Sequence, residues 1–253
     1  MAKVETELTQ GILVVTLNNP PRNVLSNEVI RALMDLEPVF FSDEVRAVIF
    51  TGAKRLFCAG ADVEEIPGIA NREVLEAYTL KTHTFFETLA SIPKPLIAAI
   101  NGTCLGGGLE LALCCHFRIL SERGMIGLPE ITLGLIPGWG GTQRLPRVVG
   151  EGKALEMIAT GDTLSPQEAL ACGLVHKVVP RKEVLHTSKA FAEKLLAHNP
   201  HALARALRAT RAALALPISA GLELERTFFA ELWERNIKRP SPEPTAHSES
   251  AEE

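Results

Sequence analysis

The chain has no Cys-x-x-Cys pair, no His-Glu-x-x-His or comparable histidine cluster, no Gly-x-Ser-x-Gly elbow and no dense run of lysine and arginine. Each absence removes a class of function. Without clustered histidines and cysteines there is no ligand spacing for a metal, so no metal site is expected. Without the serine elbow, acyl transfer to a serine is disfavoured. The 26 basic residues are outnumbered by 30 acidic ones, giving a formal charge of −4 and a pI near 6.0. That balance lacks the footprint of a nucleic-acid binder. No stretch reaches the roughly 18 uninterrupted apolar residues of a membrane span, and the N-terminus lacks a basic segment followed by an apolar one. The five cysteines (Cys58, Cys104, Cys114, Cys115, Cys172) are odd in number and lie in apolar surroundings. They read as reduced, buried thiols of a soluble cytoplasmic protein.

What is present is a 253-residue chain, 46% hydrophobic, enough for one large core with a small appendage. Residues 4–17 read as two strands joined at Gln10-Gly11, and a helix over 26–41 is capped by Ser26. Val45–Phe50, Leu96–Ile100 and Phe117–Leu120 read as buried strands, and Leu56–Asp62 as an irregular loop of small residues. Residues 73–91 repeat apolar positions at helical spacing, with Leu75, Tyr78, Phe85 and Leu89 on one face. A helix follows the glycine triplet, over Gly108–Cys115. The recurrence of strand, loop and helix implies an α/β core. Beyond residue 141 only Val175–Val179 reads as a strand, and helices are expected at 141–149, 151–160, 165–172, 181–198, 200–214 and 219–237. The organisation expected is a core over 1–195, a helical lobe over 196–238 and a polar, proline-rich, disordered tail over 239–253.

Two glutamates stand out. Glu110 follows the triplet Gly106-Gly107-Gly108, and Glu130 closes Gly127-Leu-Pro-Glu130. The triplet is neither a P-loop nor a dinucleotide fingerprint, and by itself it could be a close helix–strand packing point. It can also lend a bare amide at a helix start to an oxyanion. Glu110 could be a simple partner of the helix dipole, and Glu130 a helix-start acid after Pro129. The apolar neighbours of Glu110 in Leu-Glu-Leu-Ala-Leu-Cys-Cys would desolvate its carboxyl, which favours chemical use. Paired carboxylates beside an amide cradle suit proton transfer at carbon next to a carbonyl.

The runs Phe57-Cys-Ala-Gly-Ala-Asp62, Ile100-Asn-Gly-Thr-Cys-Leu-Gly-Gly-Gly-Leu-Glu-Leu-Ala112, Gly127-Leu-Pro-Glu-Ile-Thr-Leu-Gly-Leu-Ile-Pro-Gly138 and Gly140-Gly-Thr-Gln-Arg-Leu145 resemble the crotonase superfamily, most closely its enoyl-CoA hydratases. The resemblance runs to about residue 237. It implies an α/β spiral of repeated ββα units with a C-terminal helical lobe, a homotrimer or hexamer, and an acyl-CoA thioester substrate of fatty acid β-oxidation. Coenzyme A would arrive as part of the substrate, with no separate cofactor. The amides of Ala61 and Gly107 would form the oxyanion hole, Glu110 and Glu130 would flank the C2–C3 double bond, and the Gly138 amide would help seat the water. Ala59, Asp62 and Val63 would pass the adenine end of CoA, with Arg22 bordering it.

Three positions depart from the family's pattern. Glu64 stands where many relatives carry a lysine able to reach the CoA phosphates. His116 stands where an aspartate is common, and reads as a satisfied structural histidine. Trp139 is bulkier than the small residue of several hydratases and is a candidate wall of the acyl pocket. The expected reaction is reversible syn-hydration of trans-2-enoyl-CoA to 3-hydroxyacyl-CoA. Double-bond isomerisation in the same scaffold is the alternative, followed by a non-catalytic CoA-binding or RNA-associated scaffold.

Overall fold

Gln10 and Gly11, both at positive φ (52° and 79°), turn the chain between β1 (Val4–Thr9) and β2 (Ile12–Leu17). Two such residues in succession form the tight turn whose twist matches an antiparallel hairpin. The protein is described by a computed structural model over residues 3–65 and 68–236. The tail expected over 239–253 lies outside the described residues.

After β2 come α1 (Asn27–Asp35) and α2 (Glu37–Phe41), in place of the single helix expected over 26–41. Ser26 caps α1 as expected, its side chain accepting the Val29 N–H at 3.4 Å. The break at Leu36 follows from Pro38, which has no N–H to donate and whose ring crowds the preceding turn. The chain continues through β3 (Ala47–Gly52), β4 (Leu56–Cys58), α3 (Arg72–Ser91), β5 (Leu96–Ile100), β6 (Thr103–Leu105), α4 (Gly107–Cys114), β7 (Phe117–Ser121) and β8 (Ile126–Gly127). A 3-10 turn at Glu130–Leu133 then leads to α5 (Gly141–Val149) and α6 (Glu151–Thr160). The remaining elements are β9 (Thr163–Leu164), α7 (Pro166–Ala171), β10 (Lys177–Val179), α8 (Val184–Leu196), α9 (Pro200–Ala212) and α10 (Ile218–Asn236).

Two sheets organise these elements. The larger has the order β1-β2-β3-β5-β7-β10 and the smaller β4-β6-β8-β9. Successive turns of the chain place one strand in each: β3 then β4, β5 then β6, β7 then β8. α3 and α4 are the helices that follow the first two of these pairs. This is the ββα spiral. Within the larger sheet every pairing from β2 to β10 is parallel, and both faces are covered, as parallel sheets require. Leu13, Val15, Val48, Phe50, Ala98 and Ile100 face the main core. The alternate residues Ile12, Val14, Ala47, Ile49, Ile97 and Ala99 pack beneath Val184 and Ala192 of α8. Each fully buried aliphatic or aromatic side chain contributes about 1.5–3 kcal/mol.

The expected loop 56–62 begins instead as β4, and β6, β8 and β9 lie where no strand was expected. Two or three residues are too few for a period, and their pairing comes only from neighbours brought up by the spiral. α3 covers the expected span, but its buried residues are Thr82, Phe85, Phe86 and Leu89. Leu75 is exposed and Tyr78 only partly buried, because the N-terminal half of α3 overhangs a cavity.

The described residues divide into two compact units, one ending at Leu207 and the other beginning at Arg208. In the second, the Arg208 guanidinium lies 5.3 Å from the centre of the Phe228 ring. Among the described residues no helix is long and apolar enough to cross a membrane.

Candidate active site

The segment between β4 and Asp62 is clipped to the chain before α1. Ala59 N–H donates to Arg22 O (3.1 Å), Leu25 N–H to Gly60 O (2.8 Å) and Asp62 N–H to Leu25 O (3.4 Å). The Asp62 amide is used in these bonds and the Gly60 amide donates to Cys58 Sγ (3.4 Å), while none of these bonds uses the amide of Ala61 between them. Gly106 begins the second wall. It sits at φ 50° and ψ −127°, a conformation open to glycine, and turns β6 into α4. Gly107 then opens the helix with an N–H that has no intrahelical partner. Among the described residues neither the Ala61 nor the Gly107 amide has an acceptor. They are neighbours: a Cβ built on Gly107 would fall 3.2 Å from Ala61 N and 2.5 Å from Trp139 Cζ3. Any side chain at position 107 would therefore displace the indole or close the gap between the two amides.

Every residue of α4 is buried, Glu110 included at 2% exposure. A lone carboxylate there would be very costly. Its Oε1 accepts two backbone N–H groups, from Trp139 (2.7 Å) and Gly141 (2.7 Å). Gly141 is the first residue of α5, so Glu110 lies in the first turn of one helix and against the start of another. Both helix ends favour its anion. Burial wins nevertheless, and the carboxyl is pushed up to about 7. The Gly141 amide opposes that rise, the nearby Glu130 adds to it, and the Trp139 amide and Arg144 oppose it. Arg144 also fixes the loop, its Nη1 donating to Trp139 O at 2.9 Å.

Glu130 arrives from the other side, as the first residue of the 3-10 turn after Pro129. It is raised by burial, and its Oε2 is buried with no hydrogen-bond partner among the described residues. A buried polar atom without a partner is uncommon and marks a position where another group can bind.

Glu110, Glu130, Gly106, Gly107 and Ala61 line one cavity of about 600 Å³. Its apolar wall is formed by Leu75, Tyr78, Leu133, Leu135, Ile136 and Trp139. The indole is 6% exposed and packs edge-on against Tyr78 and Phe86. Ala59, Asp62, Val63 and Gly138 also line the cavity. Arg22 does not: its Nη2 is paired with Glu64 Oε1 at 3.0 Å, both side chains being largely exposed. The residue standing in place of a lysine thus engages the arginine expected to border the cofactor. His116 Nδ1 accepts the Leu96 N–H at 3.1 Å, the structural role expected of it. Cys58 and Cys104 are buried thiols raised by desolvation, Cys58 to about 12.

Sequence reasoning missed the two amides that hold Glu110. The glycines of Gly138-Trp-Gly-Gly141 leave the backbone free to approach another group, and only the fold reveals that this group is a carboxylate. It also missed Leu133, Leu135 and Ile136, whose spacing in an irregular segment carries no period.

The raised Glu110 carboxyl makes stability depend on pH. Its folded value, about 7, lies above the ordinary 4.5, so the folded state retains a proton that the unfolded chain loses. The contribution is favourable below about pH 4.5 and is lost as pH rises through about 7, at about 1.4 kcal/mol per unit of pH. Glu110→Gln keeps an oxygen for both amides but does not ionise. Melting temperatures of parent and variant should therefore diverge in the variant's favour between pH 5 and pH 8. A difference that stays constant with pH would show an ordinary carboxyl.

The family model for enoyl-CoA hydratase/isomerase matches residues 7–246. The chain is 40% identical over 236 residues to a protein of Bacillus subtilis named "Probable enoyl-CoA hydratase", covering 92% of each. It is 38% identical over 234 residues to the 2,3-dehydroadipyl-CoA hydratase of Escherichia coli, covering 92% of this chain and 91% of that one. Among solved structures, an enoyl-CoA hydratase from Bacillus anthracis superposes with a TM-score of 0.88 at 37% identity over 93% of both chains. With a fold, a spiral topology and a sequence in common with these proteins, the chain belongs to the enoyl-CoA hydratase/isomerase family.

Proposed function

We propose that this protein catalyses the reversible syn-addition of water to a trans-2-enoyl-CoA, giving a 3-hydroxyacyl-CoA. The observation that carries the reading is the placement of two carboxyl groups with raised pKa, Glu110 and Glu130, on one cavity beside two amides without acceptors. The names of the Bacillus and Escherichia relatives support it. The thioester oxygen would accept the N–H groups of Ala61 and Gly107. Charge then moves onto that oxygen as an enolate-like species develops, and each such donor contributes about 3–4 kcal/mol in comparable sites.

Glu110 would take a proton from water as its oxygen bonds to C3, with the Gly138 amide helping to seat that water. The electron pair of the double bond moves to C2, which takes a proton from Glu130. One proton has then passed from Glu130 to the substrate and one from water to Glu110. The pair keeps its single proton, which must return to Glu130 before the next turnover. Two interacting carboxyls titrate together, and that proton belongs to both. The orphaned Oε2 of Glu130 suits a group whose partner is the substrate carbon. Ala59, Asp62 and Val63 would lie along the CoA moiety, and Trp139 would bound the acyl chain. Coenzyme A enters as part of the substrate, so no further cofactor is required.

Assembly into a homotrimer or hexamer belongs to the same reading. α10 exposes Ile218 (80%), Leu222 (55%) and Phe229 (73%), more apolar surface than one helix of a stable monomer commonly leaves to water. Sedimentation velocity at micromolar concentration should give a trimer or a multiple of it, and a monomer would sink this part of the proposal.

Glutamine retains shape and hydrogen bonding but cannot shuttle a proton. Glu110→Gln and Glu130→Gln should each lower kcat for crotonyl-CoA hydration by roughly 10²–10⁴-fold with CoA-ester binding largely intact. Exchange of the C2 proton with deuterated solvent should suffer more from Glu130→Gln. If Glu110→Gln hydrates at the parental rate while Glu130→Gln is inactive, the two-carboxylate mechanism fails and a single base, Glu130, takes its place.

Trp139→Ala removes a wall of the cavity and should raise kcat/KM for long enoyl-CoAs relative to crotonyl-CoA. One methylene in an apolar pocket is worth about 1–3 kcal/mol, enough for a measurable change. Loss of a buried indole costs about 3–5 kcal/mol of stability, so the ratio of the two substrates is the quantity to measure, because the active fraction cancels. An unchanged ratio would place the acyl chain elsewhere.

A further inference from the structure

The two amides that hold Glu110 come from a short stretch, Trp139 to Gly141, containing Gly140 at φ 106°. A glycine-rich stretch of this kind has little intrinsic preference for one conformation, so its aim must be imposed from outside. Three contacts do so. Arg144 Nη1 grips Trp139 O at 2.9 Å from α5. The indole packs against Tyr78 and Phe86 of α3. The third contact also comes from α3: His83 Nε2 lies 2.7 Å from Gly138 O.

A carbonyl oxygen only accepts, so Nε2 must carry the proton. That holds for the Nε2–H tautomer and for the imidazolium alike. It fixes the peptide immediately before Trp139, and thereby the direction of the next N–H, which donates to Glu110.

We propose that His83 is a positioning residue for Glu110, clamping the Gly138 carbonyl so that the Trp139 and Gly141 amides stay aimed at the carboxylate. The kinetic part of this inference rests on Glu110 acting as the base in hydration, while the structural part does not. His83 touches neither substrate nor reacting atoms and acts through the loop. When the amides are loosened, the anion loses donors and its pKa rises. The charged groups bearing on Glu110 are Glu130, from the 3-10 turn, and Arg144, from α5. Tyr78 of α3, Cys58 of β4 and Cys104 of β6 are all raised by burial and stay neutral through this range.

The test compares His83→Leu, which fills space without a donor, with His83→Gln, whose side-chain amide can reach the same carbonyl. The Glu110 carboxyl is titrated by infrared spectroscopy in substrate-free protein, its band assigned by subtraction of Glu110→Gln. In His83→Leu that titration should move to higher pH, and in His83→Gln it should return towards the parental position. Crotonyl-CoA hydration should follow: kcat falls roughly 10–100-fold in His83→Leu, as a misplacement near 1 Å can produce, KM changes little, and His83→Gln recovers most of the loss. Should His83→Leu fail to fold, His83→Asn takes its place, its shorter amide falling short of the carbonyl. An unmoved Glu110 titration in the donor-deficient variant overturns the proposal, as does equal loss in that variant and in His83→Gln. A parental protein that does not hydrate crotonyl-CoA would defeat the functional reading and leave the infrared comparison to decide this one.

Discussion

The site depends on one carboxylate buried almost completely and held by two peptide N–H groups. Glu110 Oε1 meets the Trp139 and Gly141 amides at 2.7 Å each, at 2% exposure. Burial alone would keep the acid neutral, and the amides alone would keep it ionised. Together they leave it near neutrality, at about 7, where a group can both accept and release a proton. The structure around it follows from that balance. α4 must be apolar enough to desolvate the acid, and the start of α5 must come close enough to donate.

Close approach of backbone to backbone is the second constraint. Gly107 has no room for a Cβ between Ala61 N and the indole of Trp139, so the positions of the Ala61 and Gly107 amides and the wall of the cavity are set by one another. The indole in turn packs on Tyr78 and Phe86, which ties the cavity wall to α3. The segment that bounds the cavity thus also supports the loop carrying the Glu110 donors. Substitutions on α3 can therefore reach the carboxylate without touching it.

Much of the fold was legible because its signals are local. The hairpin follows from Gln10-Gly11 between β-branched runs, and the parallel strands follow from short continuous apolar segments such as Leu96–Ile100. The first helix follows from its Ser26 cap, and the helix over 73–91 from apolar residues at helical spacing. The split of the first helix at Leu36 comes from Pro38, which lies within the span expected as one helix. The strands of the smaller sheet were not legible. Thr103–Leu105 and Ile126–Gly127 have too few residues to carry a period, and they are strands only because the spiral lays them side by side.

The sequence by itself determined the chemistry available: two glutamates in dry or proline-marked settings, glycines where backbone must come close, and neither a metal-ligand spacing nor a Gly-x-Ser-x-Gly elbow. It also carried the family resemblance that names their roles. What the tertiary structure alone decided is which groups meet. That the donors to Glu110 are the amides of residues 139 and 141, that Glu130 Oε2 is left without a partner among the described residues, that Arg22 is engaged by Glu64, and that His83 reaches Gly138 all depend on how residues distant in the chain are brought together. A backbone N–H is the same group at every non-proline position, and a sequence cannot mark which one will face a carboxylate. Its direction is fixed only when the helices and strands on either side have packed.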